Sequence, residues 1–152
     1  MPLTGERKPF AVITPQSPQN NVFNPRFSPD GRWIAYFSSD SGRLEVYVAP
    51  FPSSGARWQI STNGGIYPVW RRDGKEIYYY ASDTTLTAVE VSARGSEFQV
   101  GDARPLFRFN TPNPGADYDV SFDGRRFLVN YSPQDTITPI TLVVNWTAEI
   151  KK

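Results

Sequence analysis

The chain has 152 residues, 39% hydrophobic and 20% charged, a balance that suits a folded domain with a sizeable core and excludes a fibrous or compositionally disordered chain. Sixteen basic residues against fifteen acidic ones leave a net charge of +1, so no global field favours nucleic acid or an anionic membrane surface. Histidine and cysteine are both absent, which removes disulfides, thiolate and imidazole metal ligands, and any Ser-His-Asp or Cys-His catalytic arrangement.

Met1 to Phe10 carries Glu6, Arg7 and Lys8 and lacks an apolar stretch, so it does not read as a secretory signal. No apolar run approaches a membrane span. Location stays open: cytoplasmic if the chain is whole, with an extracytoplasmic site open if it is an excerpt of a longer one.

Next comes Lys8–Thr14 (Lys-Pro-Phe-Ala-Val-Ile-Thr), an orphan outer strand at residues 8–14 without a sheet of its own. Beyond the connector Thr14–Pro18 a repeat begins. The turn Ser28-Pro29-Asp30-Gly31 is echoed by Arg71-Arg72-Asp73-Gly74 and by Ser121-Phe122-Asp123-Gly124, each followed by Arg or Lys. Asp30 and Asp73 lie 43 residues apart, Asp73 and Asp123 50 apart. Blades of four-stranded propellers recur at about that period.

Asp-Gly between two β-rich runs is a strong hairpin signal, because Gly accepts positive φ and Asp bonds the neighbouring backbone. Each turn therefore joins the first and second strands of a unit. The first unit, 24–61, predicts strands at Asn24–Ser28, Trp33–Ser38, Leu44–Pro50 and Arg57–Ser61. The second, 67–108, predicts Tyr67–Arg71, Glu76–Ala81, Leu86–Ser92 and Arg104–Arg108. The third, 118–146, predicts Tyr118–Ser121, Arg126–Tyr131 and Ile140–Trp146, with no outer strand. Long helical periodicity is absent, and Pro and Gly concentrate between the periodic segments, as in the connector Pro112–Pro114. The fold class is all-β: residues 1–152 read as one partial propeller of three four-stranded antiparallel blades, half of a six-bladed ring.

Phe-Ser-Pro-Asp-Gly-Arg-Trp-Ile-Ala-Tyr (27–36) resembles the repeat of TolB-like, WD-like propellers. Residues 45–52, 58–61 and 70–76, with the closing Pro139 to Trp146, are similar to the C-terminal propeller of bacterial proteins that often carry a serine/threonine kinase domain upstream. The resemblance implies a propeller that senses, binds or scaffolds. None of the kinase signatures (the Gly-rich loop, the His-Arg-Asp loop, Asp-Phe-Gly) occurs here, so kinase activity does not carry over.

Asp30, Asp73 and Asp123 could face a cation or do acid–base work, but with Gly31, Gly74 and Gly124 they read as turn chemistry. The Tyr78-Tyr79-Tyr80 run alternates, with Tyr79 opposite to Tyr78 and Tyr80, so that one face is available for ligand or blade contact. Arg71, Arg72 and Lys75 cluster at the second turn, and Arg125 and Arg126 at the third, either as solvated charges or as a surface for an acidic partner. Asn145-Trp146-Thr147 fits a glycosylation acceptor but falls within a predicted strand.

No catalytic residue, cofactor or metal is expected. Three blades are too few to close a ring, and an open edge invites aggregation. The expected partner is a second copy, whose N-terminal strand completes the third blade; the alternative is a longer chain that supplies the missing blades. The function expected is a non-catalytic binding or scaffold module for a protein, peptide or small molecule, without nucleic acid or membrane insertion. Accessory domain of a kinase-linked or prolyl-oligopeptidase-type protein, and a glycan-processing enzyme using two carboxylates, are the other readings.

Overall fold

The computed structural model describes residues 9–111 and 118–130, and the backbone of 140–144. All regular structure within them is β: β1 Val22–Phe27, β2 Trp33–Ser38, β3 Glu45–Pro50, β4 Trp58–Gln59, β5 Gly65–Trp70, β6 Glu76–Ala81, β7 Thr85–Arg94, β8 Glu97–Arg108, β9 Tyr118–Val120, β10 Arg126–Asn130 and β11 Ile140–Val144. No helix among the described residues is long and apolar enough to cross a membrane.

Within each sheet the strands pair antiparallel with their neighbours in sequence, giving sheets β1-β2-β3-β4, β5-β6-β7-β8 and β9-β10-β11. Such meanders need only tight turns, which is what the Asp-Gly sequences provide. The last two predicted residues of β11, Asn145 and Trp146, lie outside the described residues, as do Tyr131, the Pro112–Pro114 connector and the glycosylation pattern.

The three sheets stack face to face through alternate side chains. Trp33, Ala35, Phe37, Val46, Val48 and Ile60 of the first meet Trp70, Ile77, Tyr79, Val89, Val91 and Phe98 of the second. On the second sheet's other face Tyr78, Tyr80, Leu86, Ala88, Leu106 and Phe109 meet Phe127 and Val129 of the third. The second sheet is therefore covered on both sides, which is why β6 is buried along almost its whole length.

The remaining face of the first sheet, Ile34, Tyr36, Tyr47 and Ala49, is covered by Val12, Ile13, Val22 and Phe51. Pro9 to Thr14, the described part of the expected outer strand at 8–14, pairs with no strand among the described residues. It packs by its apolar side chains alone, and the following residues are pinned by Asp40, which accepts hydrogen bonds from the Gln16 N–H at 3.0 Å and the Asn20 amide at 3.0 Å. Asp40 also pairs with Arg57, whose guanidinium lies 4.8 Å above the Tyr47 ring.

Two features were not foreseen. The β7–β8 hairpin runs on to the pair Arg94↔Glu97, past the end of the β6–β7 ladder at Glu76↔Glu90, and carries Phe98 back among Trp33, Trp58 and Trp70. The inner strands β1 and β5 each bulge at a residue of positive φ before a proline: Asn24 (φ 49°) before Pro25 and Tyr67 (φ 54°) before Pro68. Proline cannot donate to the ladder, so the strand interrupts its pairing there. The Tyr118 hydroxyl of the third sheet donates to the carbonyls of Tyr67 and Tyr78, closing the bulge of the second.

Candidate functional site

The three Asp-Gly turns share one construction. In each, the Gly N–H donates to the carbonyl three residues earlier at 2.9 Å (Gly31 to Ser28, Gly74 to Arg71, Gly124 to Ser121). The glycines sit at φ of 70°, 72° and 69°, in the left-handed region that a side chain disfavours. Each Asp carboxylate accepts the backbone N–H two residues on: Arg32 at 3.1 Å, Lys75 at 3.0 Å and Arg125 at 3.0 Å. Asp30, Asp73 and Asp123 are thus engaged in the turns they stabilise.

The second turn differs from its siblings. Where Ser28 and Ser121 donate to their aspartates at 2.6 Å, Arg71 grips Asp73 with two nitrogens, at 2.7 and 2.8 Å. Its third nitrogen reaches Glu76 at 2.6 Å, and Glu76 also receives the Tyr78 hydroxyl at 2.8 Å and Arg104 at 3.2 Å. The bond to Asp73 comes first, then the nearby Glu76 charge, in holding the Arg71 guanidinium protonated against its partial burial. Gly124 of the third turn lies directly on this network: a Cβ there would stand 2.7 Å from Arg71 Cδ and 2.9 Å from the Tyr78 hydroxyl.

Two grooves open beside these turns. One, of about 720 Å³, lies between the first two turns under the long hairpin, lined by Asp30, Trp33, Asp73, Lys75, Glu90 and Phe98 among others. The Arg32 guanidinium donates to the Gly95 carbonyl at 2.7 Å, tying the hairpin tip to the first turn. The Trp33 indole N–H is, among the described residues, the one buried side-chain polar atom without a hydrogen-bond partner. The second groove, about 580 Å³, lies between the second and third turns and is lined by Arg71, Arg72, Arg104, Phe122, Asp123 and Arg125 among others.

The tyrosine run alternates as expected, Tyr79 towards the first sheet and Tyr78 and Tyr80 towards the third. All three rings are buried, and of the two expected uses, ligand or blade contact, both faces of β6 serve contact between sheets. Arg71 is likewise committed to Asp73 and Glu76, while Arg72 lies over the Phe122 ring with its guanidinium carbon 4.1 Å from the centroid. The partnership of Arg72 with Phe122 was not foreseen. They occupy the same position in successive repeats, one residue before the aspartate, and adjacent turns bring equivalent positions together.

Acid should loosen the fold. The Ser28 hydroxyl, Arg71 and the Ser121 hydroxyl hold Asp30, Asp73 and Asp123 respectively below the ordinary aspartate value of 3.8. At Asp40 burial pushes the carboxyl up, but Arg57, the Gln16 N–H and Asn20 together outweigh it and bring it below 3.8. Groups with depressed folded-state values contribute their stability above the unfolded value and lose it as pH falls through the folded one. Thermal midpoints are expected to hold steady down to about pH 4 and decline below it, and Asp40→Asn should make that decline shallower while lowering the plateau. A decline already complete at pH 5 would contradict this.

Stacked antiparallel meanders with their first turns on one side define an all-β sheet-repeat protein, in which the described residues contain no cluster of three or more potential metal ligands. No family model matches the chain, and no curated protein is similar to it at a significant level. Among solved structures it is similar to TolB from Acinetobacter baumannii, with 18% identity and a TM-score of 0.43 over 82% of this chain and 41% of that one. It is also similar to oligogalacturonate lyase from Vibrio parahaemolyticus, with 14% identity and a TM-score of 0.49 over 72% of this chain and 30% of that one. The chain covers less than half the length of either.

Proposed function

We propose that the chain is a non-catalytic β-propeller module for binding and assembly, its three sheets serving as consecutive blades of a six-bladed ring completed by a second copy. The observation that carries this reading is a repeated packing joint. Ile34 and Tyr36 hold the same repeat positions as Ile77 and Tyr79 and as Phe127 and Val129. In the second and third sheets these residues are buried against the preceding sheet. In the first sheet Val12 and Ile13 cover them instead.

Those two residues do what the outer segments of the preceding sheets do elsewhere: Ile60 belongs to the first junction, and Leu106 and Phe109 to the second. The segment 9–14 accordingly has the packing of an outer strand whose sheet is missing, while β11 ends a three-stranded sheet. At the other end, Leu128 shares its repeat position with Ala35 and Tyr78, both buried against the following sheet, yet is 45% exposed. Pairing 9–14 of one chain with β11 of another satisfies both ends, and two-fold symmetry makes both joints equivalent. The engagement of the turn aspartates with their own turns supports a role without catalysis.

Light scattering coupled to size exclusion, on the chain and on a form lacking residues 1–14, tests the reading. A dimer that is lost on deletion supports it. A folded monomer, or a dimer that survives deletion, overturns the two-copy ring, and polydisperse aggregate assigns the joints to sheets of a longer chain.

A further inference from the structure

We infer that the groove between the second and third turns is a docking site for an acidic peptide segment, recognised by Arg72 and Arg125 with the Phe122 ring. Every carboxylate that lines this groove is already engaged. Asp73 is held by Arg71 and the Lys75 N–H, Glu76 by Arg71, Arg104 and Tyr78, and Asp123 by the Ser121 hydroxyl and the Arg125 N–H. Arg72 and Arg125 are in no ion pair among the described residues, and the four arginines lining the groove exceed its three carboxylates by one charge.

Geometry makes that charge more than a solvated fringe. The Arg72 guanidinium lies over a ring from the neighbouring sheet, which restrains a long side chain without using its N–H groups. A guanidinium fixed in this way loses less entropy on forming the paired hydrogen bonds that a carboxylate accepts. Phe122 is 68% exposed, so a ligand meets apolar surface beside the cations. The groove between the first two turns has no such excess: Arg32, Arg71 and Lys75 there are matched in number by Asp30, Asp73 and Glu90. A carboxylate-bearing peptide with an apolar side chain next to its acids fits the second groove and not the first. This inference is independent of how the ring is completed.

Fluorescence anisotropy with an end-blocked decapeptide of glutamates around a central phenylalanine tests it. The peptide is expected to bind, and Arg72→Gln combined with Arg125→Gln should weaken it about tenfold, as should replacing its glutamates by glutamine. Phe122→Ala, which frees Arg72 without removing charge, should weaken it about threefold. Lys75→Gln, which removes one charge from the first groove, should stay within about twofold of the parent. Binding that the double variant retains, that Lys75→Gln loses equally, or that the glutamine peptide matches overturns the proposal. So does binding of inorganic phosphate with none of the peptide. The substituted residues are solvent-facing, and an unchanged unfolding midpoint verifies that each variant is folded.

Discussion

A Tyr78→Ala chain is expected to lose about 3–5 kcal/mol of stability, the range for deleting a large buried aromatic side chain. Tyr78 is 1% exposed and meets the Phe127 ring edge-on with centroids 5.1 Å apart, so its removal opens a cavity between the second and third sheets. The hydroxyl also gives Glu76 one of its hydrogen bonds and touches the site where Gly124 allows the third turn to approach. Tyr78→Phe keeps the ring and removes only that bond, and should cost about 1.5–3 kcal/mol, the range for a hydrogen bond to a charged group. Urea unfolding of both variants, followed by near-ultraviolet circular dichroism, measures the difference. Equal losses would mean that the hydroxyl and not the ring couples the sheets. Burial foremost, and then the Glu76 carboxylate, push the Tyr78 phenol well above its ordinary value of 10.0, so in an alkaline titration it should stay protonated where a free tyrosine ionises.

Glu45→Ala is expected to cost about 3 kcal/mol, because its side chain is fully buried and organises the passage from the first sheet to the second. One carboxylate oxygen accepts Arg43 Nε at 2.7 Å and the Gly64 N–H at 2.9 Å, and the other takes the Ser61 hydroxyl. Ser61 in turn accepts the Val46 N–H at 2.8 Å. Without the carboxylate the Gly64 donor is stranded in a crowded place: Gly64 has φ 88°, and a Cβ on its neighbour Gly65 would come within 2.9 Å of Ser61 and Tyr79. Glu45→Gln retains an acceptor for one donor and should lose less than half as much, which guanidinium unfolding curves can resolve. An alanine variant within 0.5 kcal/mol of the parent, the scatter of ordinary surface substitutions, would show that water replaces the carboxylate.

The sequence determined the turns, since everything they require lies within five residues: a serine or arginine, an aspartate to accept nearby N–H groups, and a glycine for positive φ. Strand positions such as Trp33–Ser38 and Glu76–Ala81 followed from those turns, and the alternation of Tyr78, Tyr79 and Tyr80 followed from the pleat. Whether either tyrosine face was free was not a local matter, because burial depends on side chains such as Trp33 and Phe127, tens of residues away. The same limit hid the role of Arg71, which at the second turn substitutes for the serine of the others by bonding both Asp73 and Glu76. It also hid the overhang of the β7–β8 hairpin, whose Phe98 anchors in tryptophans of both sheets. Local hydrogen bonds and backbone sterics are written in adjacent residues, whereas which charges are answered and which faces are covered is decided only when the sheets meet.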